Sequence, residues 1–383
     1  MGKRPAKVPD SLQKDTPMPI TGQDLVVSRT ALSDARVIAS DFPDTPPKGA
    51  CLLRIDGFAL TANNITYGVA ADMLGYWDFF PAEDAADGRI PVWGFATVVA
   101  SENPDIAVGE RVYGYVPMST HLMVWPGQIT PAGFTDIVAH RAERSPIYNH
   151  YAFTRTDPQW SADQEPLISL FRPLFTTSFL LDDLHRENKC FGAQQIILSS
   201  ASSKTAIGLA FLLSRNAPAG VSITGLTGAA NRDFVTNLGC YDHVLGYDQI
   251  AELPQVASAY VDMAGNADLR RRIHEHLRDN LKSSRAVGMT HWQDSKGLGG
   301  DLPGAKPEFF FAPAYAQDRL KALGRAEFQT RLGAAWVDFA APAKGWIRIN
   351  QAAGPEAVLA RYHAMLKGEI DPADGHYMTM KTG

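Results

Sequence analysis

Two groups of residues in this 383-residue chain have the types and spacing for chemistry. The first is the bend Ser199–Thr205 within QIILSSASSKTAIGLAFLL, residues 195–213. Ile196, Ile197 and Leu198 read as a strand, and Ile207, Ala210 and Phe211, with Leu213 close by, read as the apolar face of a helix. A helix starting at such a turn presents unpaired N–H groups and a partial positive charge. Small side chains let a pyrophosphate come close to those groups. Ser200, Ser202, Ser203 and Thr205 add hydroxyl donors, and Lys204 adds a cation. The usual dinucleotide fingerprint is G-x-G-x-x-G. Here Ser and Ala replace most of it, and Gly208 alone remains, already inside the helix. An ordinary capped helix start is the competing reading of the same residues.

The second group is Asn63, Asn64 and Tyr67, in TANNITYG, residues 61–68, which reads as a polar loop with local asparagine turn chemistry. When an enone or carbonyl is reduced, negative charge grows on oxygen, and without a metal that oxygen needs hydrogen-bond donors. Tyr67 has the group to donate a proton or polarise, and Asn64 and Asn63 have amides to position. Tyr76, Trp77 and Phe79 follow as candidate walls of an apolar pocket. Tyr148, with Asn149 and Tyr151, lies in a stretch over 130–165 that reads as an insert or lid.

Two regimes of secondary structure must hold these groups. Over the first third, short apolar runs (Leu25–Ser28, Cys51–Leu60, Ile90–Ser101, Gly109–Val116, His121–Trp125) alternate with Gly and Pro turns, which reads as a small barrel or partly open β domain. From residue 195 strands and helices alternate: strands at Ile196–Ser199, Val221–Gly225, His243–Leu245, Ala259–Met263 and Arg285–Met289, helices at Lys204–Ser214, Ala230–Leu238 and Asp268–Leu281. That rhythm implies a parallel, doubly wound α/β sheet. Right-handed crossovers then bring the strand ends to one edge. Thr227, Asn231 and Arg232 after the second strand, Gly265 after the fourth, and Thr290 and Trp292 after the fifth would share that edge with the serine-rich bend. Further on, 320–332 and 356–367 read as helices, and 334–340 (AAWVDFA) and 347–350 as strands returning to the first domain. His274 and His276 face apart on a helix and read as solvated surface.

Composition narrows the classes. Hydrophobic content of 45% and charged content of 20% fit a soluble globular enzyme. A formal charge of −5 gives no reason to expect nucleic acid or an acidic membrane as partner. Cys51, Cys190 and Cys240 lie far apart with no C-x-x-C, so neither a zinc ribbon nor a disulfide framework is expected, and reduced thiols fit a cytoplasmic protein. The opening MGKRPAKVPDSLQKDTP has no apolar core and does not read as a secretory signal. No run approaches the length of a membrane span.

In order along the chain, LLRIDGFALTANNITYG, VWGFATVVAS, GERVYGY, IILSSASSKTAIGLAFLL, VSITGLTGAANRDFVTNLGCYDHVLGYD, YVDMAGN and RAVGMTHW resemble the medium-chain dehydrogenase/reductase superfamily, and most its zinc-independent, quinone-oxidoreductase-like members. The first loop lacks the cysteine, and the following stretch the G-H-E, of the zinc-dependent branch. The resemblance implies a GroES-like β-barrel catalytic domain (1–175 and 313–383) around a Rossmann dinucleotide-binding domain (176–312). It implies an oxidoreductase reducing an activated alkene, quinone or carbonyl of a small-molecule substrate, and a homodimer. NAD-preferring sites carry an acidic residue at the end of the second strand. Here Thr224-Gly225-Leu226-Thr227 has none, and Arg232 and Lys204 supply cations, so NADP is the expected cofactor. The rival readings are a degenerate, cofactor-free binding or regulatory protein and a serine hydrolase; no G-x-S-x-G supports the latter.

Overall fold

The computed structural model describes residues 20–287 and 301–382. Thr290, His291 and Trp292 lie outside the described residues. A first lobe is built from β1 (Ile20–Ser28), β2 (Ala31–Phe42), β3 (Cys51–Leu60), β4 (Asp87–Gly88), β5 (Pro91–Ser101), β6 (Arg111–Pro117), β7 (His121–Val124), β8 (Pro126–Thr130), β9 (Gly133–Asp136) and β10 (His150–Phe153). Helices α1 (Ala62–Val69) and α2 (Ala71–Leu74) follow β3, and α3 (Glu165–Glu187) leads out of the lobe. A second lobe alternates β11 (Gln195–Ser199), α4 (Lys204–Asn216), β12 (Ser222–Thr227), α5 (Arg232–Asn237), β13 (His243–Gly246), β14 (Ser258–Asp262), α6 (Ala267–Leu277), β15 (Leu281–Ala286) and β16 (Pro307–Phe309). The chain closes with α7 (Ala312–Leu323), α8 (Arg325–Trp346), β17 (Arg348–Ala353), α9 (Pro355–Leu366) and β18 (Asp374–Thr379).

Strands β11–β16 form one parallel sheet in the order β13-β12-β11-β14-β15-β16, the doubly wound arrangement. All five residues of β11 are buried, as helices on both faces of a parallel sheet require. The first lobe is a nine-stranded sheet, β17-β18-β3-β5-β6-β10-β9-β8 with β7 also on β3, beside the three-stranded β2-β1-β4. β18 sits between β17 and β3, so the end of the chain returns to the first lobe.

Helix α3 crosses residue 175 without a break and packs on both lobes. Gly208 makes this possible. A Cβ there would lie 2.7 Å from Ser178 Oγ and 3.1 Å from Ser178 Cβ. Ser178 Oγ cannot simply turn away, because it donates to Thr205 O at 2.7 Å. Gly208→Ala is therefore expected to destabilise by about 1–3 kcal/mol through overpacking. Thermal melts would show it, and Ser178→Gly in the same chain should restore most of the loss; an unchanged melting point would refute the close approach.

Three readings of the sequence give way. Residues 61–68 are not a loop but helix α1, because Asn64 Oδ1 accepts from Thr61 N at 2.7 Å and Thr61 Oγ1 at 3.0 Å and so caps its own first turn. Residues 334–340 lie inside α8, where Trp336, Phe339, Ala340 and Ala343 repeat at helical spacing and pack toward α3 and α4. His274 is wholly buried, its ring nitrogens on Pro303 O and Ser284 Oγ at 2.9 Å each.

The interior also sets the acid limit. Burial pushes His185 and His376 down to about 4 from 6.5. Their unfolded forms bind protons that the fold does not, so stability is full above 6.5 and falls as pH drops toward 4. Asp56 opposes its burial with hydrogen bonds from Lys381, Thr97 and Arg54 and is lowered from 3.8 to about 2. Its contribution is present above 3.8 and is lost as pH falls through about 2. Urea unfolding against pH should show two successive losses, and Asp56→Asn should remove the lower one only.

Candidate functional site

The turn between β11 and α4 is held from below. Ser199 Oγ, fully buried, donates to Asp262 Oδ1 at 3.0 Å and accepts from the amides of Met263 and Ala264. Asp262 also accepts from Gly265 N at 3.0 Å and pairs with Arg270, so the ends of β11 and β14 are locked together. Gly265 has φ +64, a left-handed value that this turn needs. On the other side, Asn231 Nδ2 donates to Ser202 Oγ at 3.1 Å, tying the start of α5 to the turn.

Within the turn some amides are already used. Ser200 N donates to the Tyr247 hydroxyl at 3.2 Å, Ala201 N to Leu226 O at 3.0 Å, and Ser203 N to Ser200 O at 2.8 Å. Ser203 Oγ caps α4 by accepting from Ala206 N. The amides of Ser202, Lys204 and Thr205 have no acceptor among the described residues. With Gly208 in the third-glycine place of the fingerprint, the first two fall on Ser203 and Thr205. The free amides thus fall at the place that binds a pyrophosphate in proteins carrying the full fingerprint, although here a threonine stands where a glycine usually gives room.

Lys204 corrects the sequence reading. Its ammonium does not face the turn; it donates to Pro372 O at 2.6 Å and Asp374 O at 2.9 Å, the segment entering β18. Burial lowers it to about 8, against the opposing pull of Asp374 and Asp371. It ties the two lobes at the level of the turn. Arg232 is exposed at the start of α5 with no ion-pair partner among the described residues. Thr227 ends β12 with a buried hydroxyl that has no hydrogen-bond partner among the described residues.

A narrow cleft of about 10 Å³, room for about one water, lies between the start of α1, Trp93 on β5 and the face Ser169–Leu174 of α3. Asn63 lines it. Among the described residues, Ser169 Oγ and Trp93 Nε1 are buried there with no hydrogen bond of ordinary geometry, although Trp93 has the Tyr67 hydroxyl in range. A buried donor left unpaired costs about 1–3 kcal/mol, so two at one cleft are a feature needing an acceptor. The same helix reaches Ser178 and the carbonyl of Thr205 nine residues later, about 14 Å along its axis. One rigid element therefore runs from the cleft to the turn.

Behind the cleft is a box of phenols. The Tyr67 ring lies 4.7 Å from Tyr76 and 5.7 Å from Tyr115, and Tyr148 packs against Tyr76, Phe79, Tyr115 and Trp93. The Tyr67 hydroxyl is in range of the side chains of Trp93 and Asn63, which both line the cleft. Burial, and then the neighbouring phenols, raise Tyr67, Tyr76, Tyr115 and Tyr148 above the ordinary tyrosine value. They stay protonated and offer O–H donors, never phenolate bases, near neutral pH.

The structure thus brings together Tyr67, Asn63, Tyr76, Phe79 and Tyr148. Asn64 also lines the cleft, but its amide is occupied, with Nδ2 on Pro91 O at 2.9 Å besides its bonds to Thr61, so it shapes α1 as well. Trp77 leaves the group and packs against Gly88 and Arg29. Asn149 and Tyr151 are internal, on Arg141 O and Tyr115 O. Ser169, Trp93 and Tyr115 were not singled out from the sequence. A serine on the apolar face of LISLF, between Leu167 and Phe171, was the one available signal.

Known structures share this fold. The chain is similar to CurA from Vibrio vulnificus, solved in complex with NADPH, at 14% identity and a TM-score of 0.57 over 94% of this chain and 100% of that one. It is similar to CurK enoyl reductase at 11% identity and 0.58, over 94% and 99%. It is similar to the quinone oxidoreductase from Coxiella burnetii at 9% identity and 0.56, over 94% and 100%. At these identities the likeness is one of fold, a GroES-like lobe joined to a Rossmann lobe as in medium-chain dehydrogenase/reductases. No curated protein matches the sequence. A family model matches residues 58–371, from the end of β3 to the segment that Lys204 binds, and this chain belongs to that family, described as "Protein of unknown function (DUF2855)".

Proposed function

We propose that this chain is a zinc-independent, NADPH-dependent oxidoreductase that reduces an activated alkene, quinone or carbonyl of a small organic molecule. The observation that carries the reading is the gathering of donors at one place: Ser169 Oγ, without a partner among the described residues, and Trp93 Nε1, beside Asn63 and next to the Tyr67 phenol. Such a set is complementary to a carbonyl oxygen and to the charge that grows on it. Three free amides at the start of α4, the left-handed Gly265 and the unpaired Arg232 fit a phosphorylated dinucleotide. CurA from Vibrio vulnificus, with the same fold, is solved with NADPH, which supports that choice of cofactor.

When bound, the cofactor supplies a hydride. The chain's own part is to hold the acceptor oxygen against Tyr67, Trp93 and Ser169, to wall the substrate with Tyr76, Phe79 and Tyr148, and to keep the phenols neutral so that Tyr67 can give up a proton. Ser202 and the amides of Lys204 and Thr205 would take the diphosphate, with Ser200 and Ser203 shaping the turn, Asn231 bracing it and Arg232 taking the 2′-phosphate. We also read residues 1–175 and 313–383 as the substrate lobe, 176–312 as the cofactor lobe, and the protein as a cytoplasmic homodimer. Among the described residues no helix is long and apolar enough to cross a membrane.

A second reading, a cofactor-free relative, is favoured by the amides of Ser200 and Ala201 already being satisfied within the protein. Titration of the protein with NADPH, followed by nicotinamide fluorescence, separates the two. Saturable binding below about 1 mM is expected, equivalent to roughly 4 kcal/mol or more. No binding at that concentration would leave the cofactor-free reading standing.

A further inference from the structure

The first lobe contains another, half-open cleft, also bordered by Phe79, of about 200 Å³. That is room for a single small ring: an apolar cavity of about 150 Å³ takes benzene. Its walls are aromatic, with Phe42, Phe79, Phe80 and Trp125, and two guanidiniums, Arg89 and Arg141, reach it.

Arg141 is 1% exposed. Its Nη2 serves Asp136 and the Tyr151 hydroxyl, but its Nε and Nη1 are buried with no acceptor. The Nε of Arg89 also has no hydrogen bond among the described residues, but its ion-pair partner Asp24 keeps two buried oxygens in the same condition beside it. A guanidinium has five N–H donors, and a buried one left partly unsatisfied is costly, so the two open positions on Arg141 call for an oxygen to receive them. Asp136 cannot supply it. Its Oδ1 already accepts from Trp125 N at 2.9 Å and Val138 N at 3.1 Å, and its Oδ2 is on Arg141.

Charge then selects the kind of oxygen. Arg141 is paired with Asp136, and Arg89 with the buried Asp24, so the two arginines are neutralised before any ligand arrives. A carboxylate ligand would leave an excess negative charge in a site of low exposure, whereas a carbonyl accepts the same N–H groups without one. The rings around it, including Phe80 with the Arg141 guanidinium 5.0 Å from its centroid, suit a flat apolar body.

We propose that this cleft is a second binding site, separate from the reaction cleft, for a small neutral molecule with a planar aromatic body and a carbonyl oxygen directed at Arg141. The proposal does not depend on whether NADPH binds.

The test uses the full-length protein and benzamide, followed by saturation-transfer NMR and calorimetry, with benzoate as the matched anion. A molecule of this size is expected to bind saturably at about millimolar concentration. Met123→Trp, a half-buried position on the cleft wall that takes part in neither ion pair, should weaken benzamide at least about tenfold, or roughly 1.4 kcal/mol, without changing the melting temperature. Arg141→Met should do the same if it folds; Met123→Trp decides the matter if it does not. Absence of saturable benzamide binding at about 20 mM, far above the affinity expected for so few atoms, would overturn the proposal. So would binding that Met123→Trp leaves untouched, or a preference for benzoate over benzamide.

Discussion

Tyr67→Phe is expected to lower turnover about 10²–10³-fold with NADPH and an enone or quinone substrate, while leaving NADPH affinity and the melting temperature within error. The size follows from what is removed. Phenylalanine keeps the ring contacts with Tyr76 and Tyr115, so packing survives and only the O–H is lost. That O–H lies among groups that cannot replace it: Trp93 is fixed in a strand, and Asn63 belongs to α1. In the proposed reaction the lost bond would be to an oxygen whose charge grows, so kcat should fall more than KM rises. The sign of the pH dependence is also fixed. Burial raises the Tyr67 phenol above the ordinary value, so its donor form persists through neutral and mildly alkaline pH and the wild-type rate should show no tyrosine-dependent fall there. Ser169→Ala should cost less, because Trp93 Nε1 remains. An unchanged kcat for Tyr67→Phe in a folded protein would remove Tyr67 from the chemistry.

What could be read in advance divides along the line between periodicity and pairing. The parallel sheet was legible because its strands are buried on both faces and spell continuous apolar runs such as QIILS. Where a side chain finds its partner is set by elements far apart in the chain, and there the sequence misled. Lys204 beside a serine-rich bend looks like a phosphate ligand, yet its partners lie at Pro372 and Asp374, some 170 residues on. Asn63 and Asn64 look equivalent and both line the cleft, but the Asn64 amide is tied back to Thr61 and forward to Pro91. In AAWVDFA an apolar stretch met its period only when extended to Ala343. Ser169 and Trp93 carry no motif, because being unpaired is a property of the assembled cleft.

On the proposed reading, the bend is a glycine fingerprint rewritten. The third glycine stands as Gly208, where α3 packs against it. At the first place Ser203 caps α4, and beside it Ser202 receives Asn231. The cost is room, since Thr205 occupies the point of closest approach. A diphosphate there should be held more by side-chain hydroxyls and by the helix start than by bare backbone.

Arg232→Ala is expected to weaken NADPH about 10–100-fold and NADH hardly at all, bringing the two cofactors close to parity. A hydrogen-bonded charge pair contributes about 1.5–3 kcal/mol, which is that range. Arg232 is the suitable group because it begins α5 immediately after β12, is exposed, and has no ion-pair partner among the described residues that would compete for it. The end of β12 carries no acid to hold a ribose diol, so NADH has little to lose there. Because the site is open to water, the difference between wild type and variant should shrink as salt is raised. Lys204→Met supplies the contrast. Its ammonium is engaged by the carbonyls of Pro372 and Asp374, so its loss should lower the melting temperature by loosening the join between the lobes and leave the NADPH-to-NADH ratio unchanged. If instead Lys204→Met abolishes the preference and Arg232→Ala does not, the 2′-phosphate lies over the turn after β11, and the lysine must leave those carbonyls to reach it.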